Sequence, residues 1–137
     1  MSDVMSGSVC LAPSRNLSLR EILLPRDTNH LGDIFGGTIL AYIDLAGAVE
    51  ARNHTRHQVV TRFFDKVEFK EPVKVGEVVS FWTSVVRKGN TSITVRVEVE
   101  QGHPAGAQVS CVTAASIVYV AVATGADGKK CKVALDS

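Results

Sequence analysis

The chain has 137 residues and a net charge of +1, with 45% hydrophobic and 21% charged residues. That is room for one domain with a sizeable core, and nearly balanced charge gives no drive toward nucleic acid or an anionic membrane surface. No apolar run reaches the ~20 residues of a membrane span, and no basic segment leads into an apolar core at the N-terminus, so no signal peptide and a cytoplasmic location are expected.

Residues 1–15 are small and polar-rich, with Pro13, and read as a loose terminus. Asn16 to Leu24 carries the alternation of a strand, stopped by Pro25. Arg26 to Phe35 holds Asp27, Asn29, Gly32 and Asp33, which is loop chemistry. Gly37 to about Asn53 then predicts a helix that is apolar nearly all round, a pattern of buried helices. At about 100° per residue, Gly37, Ala41, Asp44, Ala48 and Ala51 share one narrow stripe. An acid among such small residues is costly to bury unpartnered, so it is either functional or hydrogen-bonded for structure.

From His57 the period changes to that of strands. Val59 to Phe69 predicts a long strand with an irregularity in its middle, ended by Pro72. Val78 to Val86 is the next strand, and Lys88-Gly89-Asn90 a hairpin turn. Ile93, Val95, Val97 and Val99 alternate with Thr94, Arg96, Glu98 and Glu100, which predicts one buried and one wet face. Val109 to Val122 is long and uncharged, hence central or at an interface. The Gly- and Lys-rich segment from Thr124 to Ser137 reads as a fraying end. Cys10, Cys111 and Cys131 are odd in number and lack CxxC spacing, so reduced thiols are expected. The sum is a single α+β domain over residues 1–137, an antiparallel sheet wrapped around one hydrophobic helix. One sheet covers only one side of such a helix, which argues for a second subunit on the other.

Several stretches in this order carry a resemblance: Asp27-Thr-Asn-His-Leu-Gly-Asp-Ile-Phe-Gly-Gly37, Ile43-Asp44, Val59-Val60-Thr61, Phe69-Lys-Glu-Pro72, Val75-Gly76-Glu77 and Gly89-Asn-Thr-Ser92. Together they resemble the single-domain bacterial acyl-CoA thioesterases of the hot-dog fold, over about residues 17 to 122. The resemblance implies hydrolysis of acyl-CoA to fatty acid and CoA over a broad acyl range. It implies no metal or cofactor, and a homo-oligomer that is at least a dimer and commonly a trimer of dimers. It also implies that Asp44 is the catalytic residue.

The residues themselves fit that chemistry. No Gly-x-Ser-x-Gly elbow is present, so the thioester falls to a carboxylate, acting as general base on water or attacking directly. Gly36 and Gly37 precede the helix, where free N–H groups suit a developing oxyanion, against the plainer reading of a turn with close packing. Asn29 could orient water or thioester through its amide, or simply make an Asx turn. Thr61 is expected to reach the carboxylate from the partner subunit, or to be an ordinary strand threonine. Gly89, Asn90, Thr91 and Ser92 are candidates for the pantetheine path, with Arg62, Arg87 and Lys88 for the CoA phosphates. His54 and His57 are spaced HxxH, but no further ligand follows in a known metal arrangement. The basic residues lack the aromatic interleaving of a nucleic-acid surface. Two rivals stand beside the hydrolase: a hot-dog 3-hydroxyacyl-thioester dehydratase pairing His30 with Asp44, and a non-catalytic acyl-CoA-binding module in which Asp44 is structural.

Overall fold

The computed structural model of the chain describes residues 14–102, 105–106 and 108–137. In order, its elements are β1 (Asn16–Ile22), a 3₁₀ turn (Pro25–Asp27), α1 (Gly36–Arg52), β2 (Gln58–Phe69), β3 (Val78–Lys88), β4 (Ser92–Gln101), β5 (Ser110–Thr124) and β6 (Lys130–Lys132). Strands β1, β3, β4, β5 and β2 pair side by side in that order, all antiparallel. Helix α1 packs across one face of this sheet, the arrangement expected from the sequence.

The core is built by alternation. Ile93, Val95, Val97 and Val99 of β4 are fully buried, as are Phe81 of β3 and Ile117, Tyr119 and Ala121 of β5. Against them α1 lays Ile39, Ile43, Ala46, Gly47, Glu50 and Ala51. These fall at i, i+4, i+7 and i+8, the stripe of a one-sided helix. The helix is therefore not buried all round within one protomer: Leu45 and Val49, on its far side, are 59% and 48% exposed. The expected irregularity in β2 is a pair of register shifts, between Thr61 and Phe63 and between Asp65 and Glu68. In the second, Lys66 takes the left-handed backbone conformation, with φ 52°.

Four expectations are corrected. The outer face of β4 is not simply wet. Glu98 is buried there because Arg15 and Arg96 pair with its carboxylate at 3.5 and 3.2 Å. Arg15 also stacks over Trp82, so this residue is ordered; residues 1–13 lie outside the described residues. The segment from 124 does not fray. Its strand β6 pairs with the end of β5, Leu135 is buried, and the Ser137 carbonyl accepts from Arg56 and faces the His57 ring. Short polar spacing hid this, because a three-residue strand borrows its stability from the sheet it joins. Finally, Cys111 is disulfide-bonded rather than a reduced thiol, whereas Cys131 is free and exposed; Cys10 is outside the described residues.

One polar cluster ties the last turn of α1 to the sheet. The buried Glu50 carboxylate accepts from Asn16 Nδ2 of β1 and Thr83 Oγ1 of β3, each at 2.8 Å on Oε1. Its Oε2 meets His54 Nε2 at 2.8 Å. Burial alone would raise the pKa of this carboxyl. The hydrogen bonds from Asn16, His54 and Thr83, with the adjacent imidazole, outweigh burial and hold it below its ordinary 4.5.

A group depressed in this way stabilises the fold above its unfolded pKa and loses that contribution as pH falls through the folded value. Urea denaturation at neutral pH should therefore show Glu50→Ala less stable than the parent by about 2–4 kcal/mol, since three donors lose their acceptor. Below pH 4.5 the parent should lose stability more steeply than the variant.

Candidate active site

Asp44 leaves α1 at the border between its buried and exposed faces and is half-buried. Two hydroxyls meet it. Thr61 Oγ1 donates to Asp44 Oδ1 at 2.6 Å. Tyr119 Oη donates to the main-chain carbonyl of Asp44 at 2.7 Å and lies 3.1 Å from the same Oδ1. Both come to one place because Thr61 and Tyr119 are direct cross-strand partners in the β2–β5 ladder, with side chains on one face of the sheet. The Thr61 contact is made within one chain, not from the partner subunit as expected. Asp44 Oδ2 receives no hydrogen bond from the described residues.

Tyr119 can reach the helix only because position 47 is glycine. A Cβ there would lie against Tyr119 Oη and within 3.1 Å of Ile117 Cδ1. Burial first, and then the neighbouring Asp44 carboxylate, push the Tyr119 hydroxyl well above its usual range, so it remains a neutral donor.

The helix start forms a second group. Phe35 is extended, no side chain caps α1, and the Thr38 and Ile39 amides turn back to the Phe35 carbonyl. The N–H groups of Gly36 and Gly37 come before that bond and have no intrahelical acceptor. Gly37 lines a cleft of about 510 Å³ with Asp27, Phe35, Thr38, Ala41, Tyr42 and Leu45, running along the exposed side of α1. Gly36 lines another, about 310 Å³, together with Asn29 and Phe69. The Asn29 side-chain oxygen is occupied: it accepts from the Leu31 and Asp33 amides at 2.9 and 3.2 Å. This is the Asx-type turn of the plainer reading.

A third cleft, about 390 Å³, lies on the outer face beside Thr61, with Arg62, Lys130 and Lys132. Arg62 points there because it is the extra residue of the first β2 register shift. Lys88 ends β3, exposed, and is not among this cleft's residues. The hairpin Gly89–Ser92 is pinned instead: Gly89 N–H bonds the Ser92 carbonyl, and the Thr91 and Asn90 carbonyls accept from Ala121 and Leu135. His30 is exposed and makes no bond to Asp44, while His54 and His57 serve Glu50 and Ser137. Among the described residues no three His, Cys, Asp or Glu side chains converge.

Sequence reasoning missed Tyr119, Lys130 and Lys132. The two lysines were set aside with the segment thought to fray. A glycine in mid-helix, at a cost of about 1 kcal/mol against alanine, was the available signal for the close approach at Gly47 and so for Tyr119.

A sheet wrapped over a single helix that bears a hydroxyl-bound carboxylate defines an α+β hot-dog protein with an acid at its working edge. The chain belongs to the thioesterase superfamily, whose family model matches residues 31–108. It is 42% identical over 114 residues to an uncharacterized acyl-CoA thioester hydrolase of Buchnera aphidicola, covering 80% of this chain and 84% of that one. It is 38% identical over 121 residues to the acyl-CoA thioester hydrolase YciA of Salmonella typhimurium, covering 85% and 89%. A hexameric hotdog fold thioesterase of Campylobacter jejuni superposes with a TM-score of 0.73 at 46% identity, covering 86% of this chain and 90% of that one.

The Gly47 contact makes a direct prediction. Gly47→Ala should destabilise the fold by about 1–3 kcal/mol in thermal or urea unfolding, as overpacked cores do, although alanine is the better helix former.

Proposed function

We propose that the protein hydrolyses acyl-CoA thioesters to a carboxylic acid and CoA, with Asp44 as the catalytic carboxylate. The observation that carries this reading is the Asp44 carboxylate, bonded through one oxygen to Thr61 and Tyr119, on a helix whose residues Ala41 and Leu45 line a largely apolar cleft that reaches Gly37. The thioester carbonyl sits at the Gly36–Gly37 amides, which stabilise the oxygen as charge develops on it. Asp44 either takes a proton from the attacking water or adds to the carbonyl itself. The tetrahedral intermediate then collapses by breaking the carbon–sulfur bond, and the CoA thiolate leaves and is protonated. On this reading the reaction needs no metal or cofactor.

One protomer does not hold the whole arrangement. Gly37 and Asp44 are two turns apart on one helix, about 10 Å along its axis. A nucleophile and oxyanion donors must each lie ~3 Å from the reacting group, so both cannot come from the same α1. A second copy supplies the missing half. Its docking surface is the exposed flank of α1, with Leu45 and Val49, continued by the unpaired edge of β2, where Phe63 and Phe69 are 49% and 53% exposed. The assembly on this reading is at least a dimer, and the hexameric relative supports extending it to a trimer of dimers. The Arg62, Lys130 and Lys132 cleft suits the CoA phosphates, with the Gly89–Ser92 hairpin as the pantetheine guide. An apolar wall of Phe35, Ala41, Tyr42 and Leu45 suits an acyl chain, and the range it accepts is read as broad. A cytoplasmic location goes with this reading, because CoA thioesters are made and used there.

The test uses a panel of acyl-CoAs and a thiol reagent. Asp44→Asn should fold and assemble but lose nearly all turnover. Gly37→Val, which places a side chain at the donors, should also be inactive. Mixed dimers of the two variants should regain activity, since one of their two sites then has both Asp44 and Gly37 intact. Near-native turnover in Asp44→Asn would remove the carboxylate from the chemistry, and silent mixed dimers would remove the shared site.

A further inference from the structure

We infer that Tyr119 is the positioning residue of this site: it holds Asp44 by main chain and side chain together, making Oδ1 the anchored oxygen and Oδ2 the reacting one. The inference rests on the reading of Asp44 as the catalytic carboxylate.

Tyr119 is fully buried in β5, and its hydroxyl reaches the Asp44 carbonyl at 2.7 Å and Oδ1 at 3.1 Å. A buried phenol needs one acceptor, and the carbonyl alone would satisfy it. The second oxygen within reach belongs to the same residue, so one hydroxyl bridges the main-chain carbonyl and the carboxylate of Asp44. Thr61 then adds the shorter bond, 2.6 Å, to the same Oδ1. Thr61 donating to Oδ1, with the single Tyr119 proton shared between the Asp44 carbonyl and that same Oδ1, fixes the torsion of the group, while Oδ2 accepts no hydrogen bond from the described residues.

The surroundings make this arrangement rigid rather than incidental. Tyr119 is held by ladder partners on both sides, Thr61 in β2 and Ile93 in β4. Gly47, one turn beyond Asp44, has no side chain, and any Cβ there would displace the phenol. The helix therefore carries the acid and the space for its anchor one turn apart. A carboxylate that turned freely between rotamers would present Oδ2 to the thioester for only part of the time, and misplacement on the scale of an ångström is costly to turnover. The group acts through Asp44 and touches no reacting atom.

The experiment compares the parent, Tyr119→Phe, Thr61→Val and Asp44→Asn in the assembled enzyme, with kcat and KM for one short acyl-CoA and a thermal midpoint for each. Tyr119→Phe keeps the ring and removes the hydroxyl. It should lower kcat about tenfold with KM within about twofold, because the bound thioester is unchanged and only the aim of Oδ2 is lost. Tyr119→Phe with Thr61→Val should lose more than either alone. A role in stability only would lower the midpoint and leave kcat per folded enzyme at the parent value. An inactive Asp44→Asn together with an unchanged kcat in Tyr119→Phe would overturn the positioning role and leave Asp44 catalytic. An active Asp44→Asn would overturn both. If Tyr119→Phe fails to fold, Thr61→Val decides alone: the anchored-oxygen assignment requires its kcat to fall with KM unchanged, and a parent-like kcat rejects it.

Discussion

The close approach of α1 to β5 at Gly47 is the constraint on which the site depends. Helix and strand meet where α1 has no side chain, at Gly47, and β5 has its largest, Tyr119. Backbone proximity of this kind is decided by van der Waals contact, where a single methyl group is felt. Because it is close, a buried strand hydroxyl reaches a helix carboxylate. The same contact that closes the core also holds the Asp44 carboxylate.

The other end of the helix is secured by different means. Glu50 sits on the buried face and is matched by Asn16, Thr83 and His54, a polar cluster in which every carboxylate oxygen is occupied. The two acids of α1 thus divide by environment. Glu50 is enclosed and fully bonded, as structural carboxylates are. Asp44 stands at the border of the buried face with one oxygen uncommitted, the condition a reacting carboxylate needs. Both sets of bonds fit a rotation of the helix on the sheet in which Leu45 and Val49 face outward.

On the outer face of the sheet, the C-terminal segment alters the electrostatics. By pairing β6 with the end of β5 and seating Leu135 under the Asn90 carbonyl, the chain brings Lys130 and Lys132 beside Arg62. Three cations near one cleft are a local field that a net charge of +1 conceals. Further along the same face, Arg15 and Arg96 are paired with Glu98 and Glu100, whereas Arg62, Lys130 and Lys132 have no ion pair among the described residues.

The sequence by itself determined the order of strands and helix, the hairpin at Gly89–Asn90, the bulged second strand and the placing of an acid among small helical residues. Those features are local: alternation, helical spacing and turn chemistry act over a few neighbours and can be read along the chain. The motif order likewise carried the superfamily. What only the tertiary structure decided was which neighbours meet. Tyr119 lies far from Asp44 in the chain, and its pairing with Thr61 depends on the register between β2 and β5. The burial of Glu98 by Arg15 and the docking of residues 124–137 likewise depend on partners distant in sequence. Periodicity tells which way a side chain points; it does not tell what stands opposite, because that is fixed by the lateral order and register of whole strands.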